Sequence, residues 1–503
     1  MRRSSLAFCC ASAIIAVALV GCGGSGQTPP PTPPQQDFTL TLSAQSVFVP
    51  SGVGSGSVQI SVQGENGFDQ TVSVSLSGLP SGVTTSPALP VMVSAGSNQT
   101  ITLTAASNTT IGVQSISVQA TSGTLNHSAS FSLSVAAPSY AYLATGYPNE
   151  PPYDLVGFAV DANTGALAQV PGSPVSLPAE PVDLAVASET GGAFVFVLIP
   201  DSSTQTVTLQ SYSVDAGTGT LTPLQTINYP PQTNQSALAV HPSGTFLYVM
   251  EDGCLLAYSI DPATGNLTQA SCSSGMFGPN QSFVVAAPGN FAYQTEVEPL
   301  PPGTLYLYSV NQTDGSVTLL QSMQSADGVG GSLFTDPQSR ALYQIIGPSG
   351  VGSCGRFVTY SIDADSGVLT SLNSSFAPLC EPFSIAFTPA DTFGYVSSGP
   401  GESSSQKGIY GATVDATTGN LTNISGSPFG AGSGADFGAV EPSQGKFLLQ
   451  HATVATSSGN TAQVLVYAID PSSGALTQVS GVQPTLPSGT ASVYKMLAVS
   501  PAH

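Results

Sequence analysis

Tyr258-Ser259-Ile260-Asp261-Pro262-Ala263-Thr264-Gly265-Asn266-Leu267-Thr268 is one copy of a unit that recurs to the C-terminus. An alternating apolar strand runs into an Asp, three small or polar residues and a Gly, and a second strand leaves through Leu-Thr, which reads as a β-hairpin. The Asp carboxylate can accept from backbone N–H groups inside the turn, and Gly takes the positive φ that closes it. The Asp-type position falls at Asp161, Asp215, Asp261, Asn311, Asp363, Asp415 and Asp470, each with a Gly four residues later. Successive spacings are 54, 46, 50, 52, 52 and 55 residues. That period fits one four-stranded propeller blade per repeat, and seven copies predict seven blades.

A second recurring piece supplies the other two strands of each blade, with its fullest copy at Ala237-Leu238-Ala239-Val240-His241-Pro242-Ser243-Gly244-Thr245-Phe246-Leu247-Tyr248-Val249. Relatives start near Asp183, Phe283, Ser332, Ser384 and Phe437, and the last is the bare strand Met496 to Pro501. Tyr140 to Ala144 precedes the first hairpin with no inner strand before it. The two ends therefore complement each other. One blade takes three strands from the N-terminal side of the repeats and its innermost strand from the C-terminus, which removes the open edges of a linear array.

The chain begins with an address. Arg2 and Arg3 precede an apolar run from Leu6 to Val20, and Leu19-Val20-Gly21-Cys22 resembles a bacterial lipobox, so residues 1–22 read as a lipoprotein signal with Cys22 as the lipidated residue. The apolar run is shorter than the roughly 20 residues a bilayer core needs. Residues 23–36 are rich in Pro, Gly, Gln and Thr and read as an extended tether. Residues 37–136 show short alternating strands broken by Gly, Ser and Asn, the pattern of an immunoglobulin-like β-sandwich. Leu76-Ser77-Gly78-Leu79-Pro80-Ser81-Gly82-Val83 resembles a segment of bacterial immunoglobulin-like spacer modules. The propeller is expected over residues 139–503, giving an all-β chain. The address implies a lipid-anchored protein of the cell envelope; in the lipoproteins it resembles an Asp after the Cys goes with inner-membrane retention, and Gly23 stands there, so the outer membrane is expected.

Composition narrows the partners. With 7 Lys plus Arg against 28 Asp plus Glu, the formal net charge is −21. Nucleic acid is excluded, because its affinity rests on basic neutralisation of phosphates, and anionic lipid surfaces are unattractive to the domains for the same reason. Membrane association therefore falls to the anchor alone, and a monomer is expected. Removal of the signal and lipidation of Cys22 leave Cys254, Cys272, Cys354 and Cys380. Cys254 lies seven residues before Asp261 and Cys272 seven after Gly265, so an in-register hairpin sets them opposite each other; Cys254–Cys272 and hence Cys354–Cys380 are the expected disulfides. Metal ligation is the alternative, but Cys-x-x-Cys spacing is absent and no His lies near either pair. No metal or cofactor is expected.

The Pro-x-Gly-x-Phe-x-Tyr-Val strand followed by Tyr-x-Ile-Asp-x-x-Thr-Gly-x-Leu resembles the lactonase-type seven-bladed propellers, which include 6-phosphogluconolactonases. In the family it resembles, an inner strand opens with Gly-Pro-Arg-His and the next strand ends in Phe-Ala-Tyr-x-x-Asn-Glu, which sets basic groups and a carboxylate around the central opening. The nearest match here is Gly278-Pro279-Asn280-Gln281-Ser282 followed by Phe291-Ala292-Tyr293-Gln294-Thr295-Glu296. The Glu is kept and the Arg and His are replaced. The resemblance implies Glu296 as the candidate general base, with Asp183, Glu251, Gln281 and Lys495 around the mouth. A lactone hydrolase needs a base and a donor for the developing oxyanion, and a phosphorylated sugar needs cations. Lys495 alone is basic at an inner-strand opening, so an anionic substrate is expected to meet a mouth biased toward carboxylates. Two functions follow: a binding module that presents the propeller face to a protein or glycan, and a hydrolase of an uncharged lactone. With the basic half of the family's site missing, the binding module is the first expectation.

Overall fold

The computed structural model describes residues 34–51, 55–106, 109–136, 139–147, 150–189, 192–201, 206–229, 237–251, 253–275, 281–296, 303–325, 330–346, 355–372, 382–398, 408–430, 434–456, 459–479, 486 and 492–499. The lipobox with Cys22 and the pair Cys354 and Cys380 lie outside them. The described chain is all-β.

Residues 37–136 form two facing sheets, of four and five strands. Their inner faces share one core, which includes Phe38, Ile60, Val74, Ile101, Val118 and Leu133. Three of these nine strands, Ser46–Pro50, Val83–Ser86 and Val91–Ser94, are only four or five residues long. Ser46–Pro50 runs parallel to the last strand, Leu125–Ala136.

Beyond the sandwich, the described strands make seven sheets, one per repeat. Blade 1 contains Tyr140–Tyr147, Glu150–Val160 and Leu167–Gln169, with Ser492–Val499 as its innermost strand. Leu497 lies opposite Tyr142 and Lys495 opposite Ala144, so the ends of the repeat region do close the ring. The innermost strands of blades 2 to 7 are Asp183–Glu189, Leu238–Val240, Gln281–Ala286, Ser332–Thr335, Pro382–Phe387 and Gly434–Val440. In blades 4, 6 and 7 they begin two or three residues earlier than the sequence indicates.

Hydrophobic clusters lie between blades rather than within them. Phe196 and Leu209 of blade 2 pack with Leu247 and Leu256 of blade 3, and Phe158 of blade 1 packs with Leu449 and Val464 of blade 7 across the closure. The repeated hairpin shows why its residues recur. Asp261 Oδ1 accepts from the backbone N–H of Ala263 and Thr264 at 3.1 and 2.8 Å and from Thr264 Oγ1 at 2.8 Å. These bonds hold the Asp261 carboxyl below its ordinary range. Gly265 adopts φ +71°, and a Cβ there would collide with the Phe194 ring of blade 2. The turn thus needs Gly for its backbone and for the neighbouring blade.

The Tyr of the second strand has a matching role. Tyr142, Tyr293, Tyr343 and Tyr395 donate their hydroxyls to the carbonyls of Gly219, Gly367, Gly419 and Gly474 at 2.6, 2.7, 2.6 and 2.9 Å. Each tyrosine latches the hairpin turn of the next blade. Burial pushes all four phenols well above their ordinary pKa, so they stay protonated donors. The sandwich reaches the propeller at this same end: Ser134 Oγ donates to Asp161 Oδ1 at 2.9 Å and Asn163 Nδ2 to the Val135 carbonyl at 3.0 Å. Because successive strands alternate in direction, the inner strands start at the opposite end of the propeller.

Candidate functional site: the central cavity

The starts of the inner strands surround a cavity of about 670 Å³, within the range of small-molecule sites. Two of the expected mouth residues line it with described side chains. Asp183, at the start of its strand in blade 2, is 8% exposed. Its Oδ1 accepts from the Leu184 N–H at 2.8 Å and from Lys495 Nζ at 2.7 Å, and its Oδ2 accepts from the Leu238 N–H of blade 3 at 2.6 Å. Asp183 thus ties the inner strands of blades 1, 2 and 3 together. With both oxygens engaged, it is poorly placed to take a proton from water.

Lys495 is the other charged side chain among the described lining residues, and it forms the ion pair with Asp183. The pair cancels. Over the described residues the cavity therefore carries no net charge, where the sequence suggests an excess of carboxylate. Lys495 keeps donor capacity after that bond, since an ammonium has three N–H groups.

The remaining expected residues are placed by their backbones alone. Gln281 and Glu296 face each other across adjacent strands of blade 4, and Glu251 faces Cys254 in blade 3. All three lie at the end where the inner strands start. Cys254 is joined to Cys272, with Cα atoms 5.8 Å apart. The bridge is expected, but its register is not. A bulge at Ala257 and Tyr258 sets Cys272 opposite Leu256 and Cys254 opposite Ser274, so the disulfide runs diagonally across the strand pair.

Most of the lining is apolar, and the sequence reading passes over its aromatic members. Phe283, Phe334, Phe383 and Phe437 all contribute. Phe283 leans on Tyr248 at 5.4 Å between ring centroids, and Phe383 meets Phe437 edge-on at 6.4 Å. Phe383 is 41% exposed. The available signal was an aromatic residue at an inner-strand opening where other repeats carry Asp, Ala or Ser.

A second charged group sits at the other end of the propeller, between blades 5 and 6. Arg340 Nε contacts Asp336 Oδ2 at 2.9 Å and its Nη2 contacts Asp391 Oδ2 at 2.7 Å. Asp336 Oδ1 also accepts from the Ala341 N–H. Burial, reinforced by the neighbouring Asp336, pushes the Asp391 carboxyl up to about 7. One guanidinium shared between two buried carboxylates is a fastener between blade turns. Among the described residues no group of three or more His, Cys, Asp or Glu could hold a metal ion.

No family model and no curated protein matches the sequence. Solved structures do match in fold. A candidate 6-phosphogluconolactonase of Bacteroides uniformis is 19% identical, with 72% of this chain and 99% of that one covered at a TM-score of 0.53. A periplasmic gluconolactonase of Pseudomonas aeruginosa is 16% identical over 72% and 100% of the two chains, also at 0.53. A candidate 6-phosphogluconolactonase of Bacteroides fragilis is 16% identical over 72% and 98%, at 0.52. The chain is similar in fold to lactonase-type propellers.

Proposed function

We propose that the propeller is a binding module for a small uncharged ligand held in the central cavity. The observation that carries this is the lining: its one described acid and one described base neutralise each other, and the remainder is mostly apolar. A phosphorylated sugar would need unpaired cations, and a protein or glycan bound across the outer face would leave the cavity unused. In this reading Cys22 carries the lipid anchor at the outer membrane, and the tether and an immunoglobulin-like sandwich act as spacers.

A second reading, hydrolysis of an uncharged lactone, draws on the similarity to three lactonase-type structures across nearly their whole length. Glu296 is then the base. The deciding experiment uses mature Cys22→Ser protein, which should leave the membrane fraction; retention there would refute the anchor. Binding and turnover are measured against neutral and phosphorylated lactones, alongside a Glu296→Gln variant. Binding of neutral lactones without turnover supports the binding module. Turnover that Glu296→Gln abolishes replaces it with the hydrolase, and failure to bind any neutral lactone, or preference for a phosphorylated one, sinks the proposal.

A further inference from the structure

The inner strands are not all built alike. Those of blades 2, 3, 4 and 5 pair with their second strands in unbroken register. In blade 6 the register shifts between Pro382 and Ser384, which makes Phe383 the extra residue. In blade 7 it shifts between Ala435 and Gly438, within which Phe437 lies. In blade 1 the pairings Lys495 with Ala144 and Val493 with Thr145 bracket a third shift. The three bulges are on consecutive inner strands, and all fall near the strand starts. A bulge leaves a residue outside the ladder and re-aims its side chain, which is why bulges collect beside binding sites.

Three cavity-lining side chains lie in or beside these shifts: Phe383, Phe437 and Lys495. Phe437 is partly buried against the core between blades 7 and 1. Phe383 is the more exposed of the two rings, and its exposed face lines the cavity. Lys495 adds ammonium donor capacity beyond its bond to Asp183. Together they offer an apolar wall and a hydrogen-bond donor on one arc of the opening.

We propose that blades 6, 7 and 1 form the recognition arc of the cavity, and that its ligand class is a neutral lactone with a hydrocarbon tail. The tail lies on Phe383 and Phe437, and the ring carbonyl accepts from Lys495. The proposal rests on the binding reading above and narrows it. A polyhydroxylated sugar lactone is disfavoured on this arc, because its hydroxyls would lose water against two phenyl rings.

The test is a series of neutral γ-lactones that differ only in alkyl tail length, titrated into mature Cys22→Ser protein and its Phe383→Ala variant. Affinity should rise about three- to fourfold for each methylene that reaches the rings. Phe383→Ala should weaken the longest-tailed lactone by about tenfold and leave the tail-less one unchanged. An unchanged melting temperature for the variant separates lost recognition from lost fold. Tail-independent binding, or a variant that binds every member like the parent, overturns the recognition arc while the binding module stands. Failure of every lactone to bind overturns both.

Discussion

Blades 2 to 5 and the arc of blades 6, 7 and 1 come from one repeat, yet they use the mouth end differently. In the regular arc, polar residues there are consumed by the fold. Asp183 Oδ2 holds the Leu238 N–H, and Ser282 Oγ holds the Leu333 N–H at 3.0 Å, so each joins its inner strand to that of the next blade. In the bulged arc the register breaks, and Phe383 is left partly exposed. A polar residue at a propeller mouth is therefore not by itself a sign of chemistry. Where the ladder is regular, its first duty is to satisfy the neighbouring strand.

The largest expected effect comes from removing the best fastener of the regular arc. Asp183→Ala leaves the Leu238 N–H and the Lys495 ammonium without their acceptor, and the expected loss is about 3 kcal/mol of unfolding free energy. Denaturant unfolding of the mature protein measures it. A loss below about 1 kcal/mol would erase the distinction between fastening and recognition.

The seam where the two arcs meet, between blades 5 and 6, should respond to pH. Asp391 has a folded pKa of about 7, above its ordinary value of 3.8, so the folded protein holds that proton more tightly than the unfolded chain does. Its contribution is complete below the ordinary carboxyl range and is lost as pH rises through about 7. This group alone should make unfolding about 1 kcal/mol easier at pH 8 than at pH 6. Comparing Asp391→Asn with the parent at both pH values isolates the slope, and an unaltered slope in the variant would assign it elsewhere.

The smallest effect separates hydrogen bonding from packing in the Tyr latch. Tyr293→Phe gives up the 2.7 Å bond to the Gly367 carbonyl and should cost about 1 kcal/mol. Tyr248 occupies the same position of the repeat, but its buried hydroxyl has no partner. Tyr248→Phe should therefore be neutral or slightly stabilising. A loss for Tyr293→Phe no larger than that for Tyr248→Phe in thermal unfolding would mean that the latch works by packing alone.

Much of the fold was legible because repeats average out local ambiguity. Asp, Thr and Gly recur for turn geometry, Phe and Tyr for the adjoining blade, and their period sets the blade number. The incomplete blade at each end of the repeats, three strands at one and a single strand at the other, made the closure readable from Tyr140 and Met496. The inner strands of blades 4, 6 and 7 start earlier than expected, and in blades 6 and 7 the extra length includes a bulge, which inserts a residue without changing composition. The same cause shifted Cys272 from the expected register while leaving it within reach of Cys254.

The candidate site was less legible. Asp183 and Lys495 stand 312 positions apart, and their pairing exists only because the last strand returns to blade 1 beside blade 2. Phe383 reads as one more apolar strand residue until the register break shows why it is exposed. The sequence by itself determined the seven-fold repeat, the hairpin chemistry and the complementary ends, since each depends on interactions within a blade or on counting. Tertiary structure alone decided which mouth residues are spent on neighbouring strands and which remain available, because that depends on register and on contacts between blades.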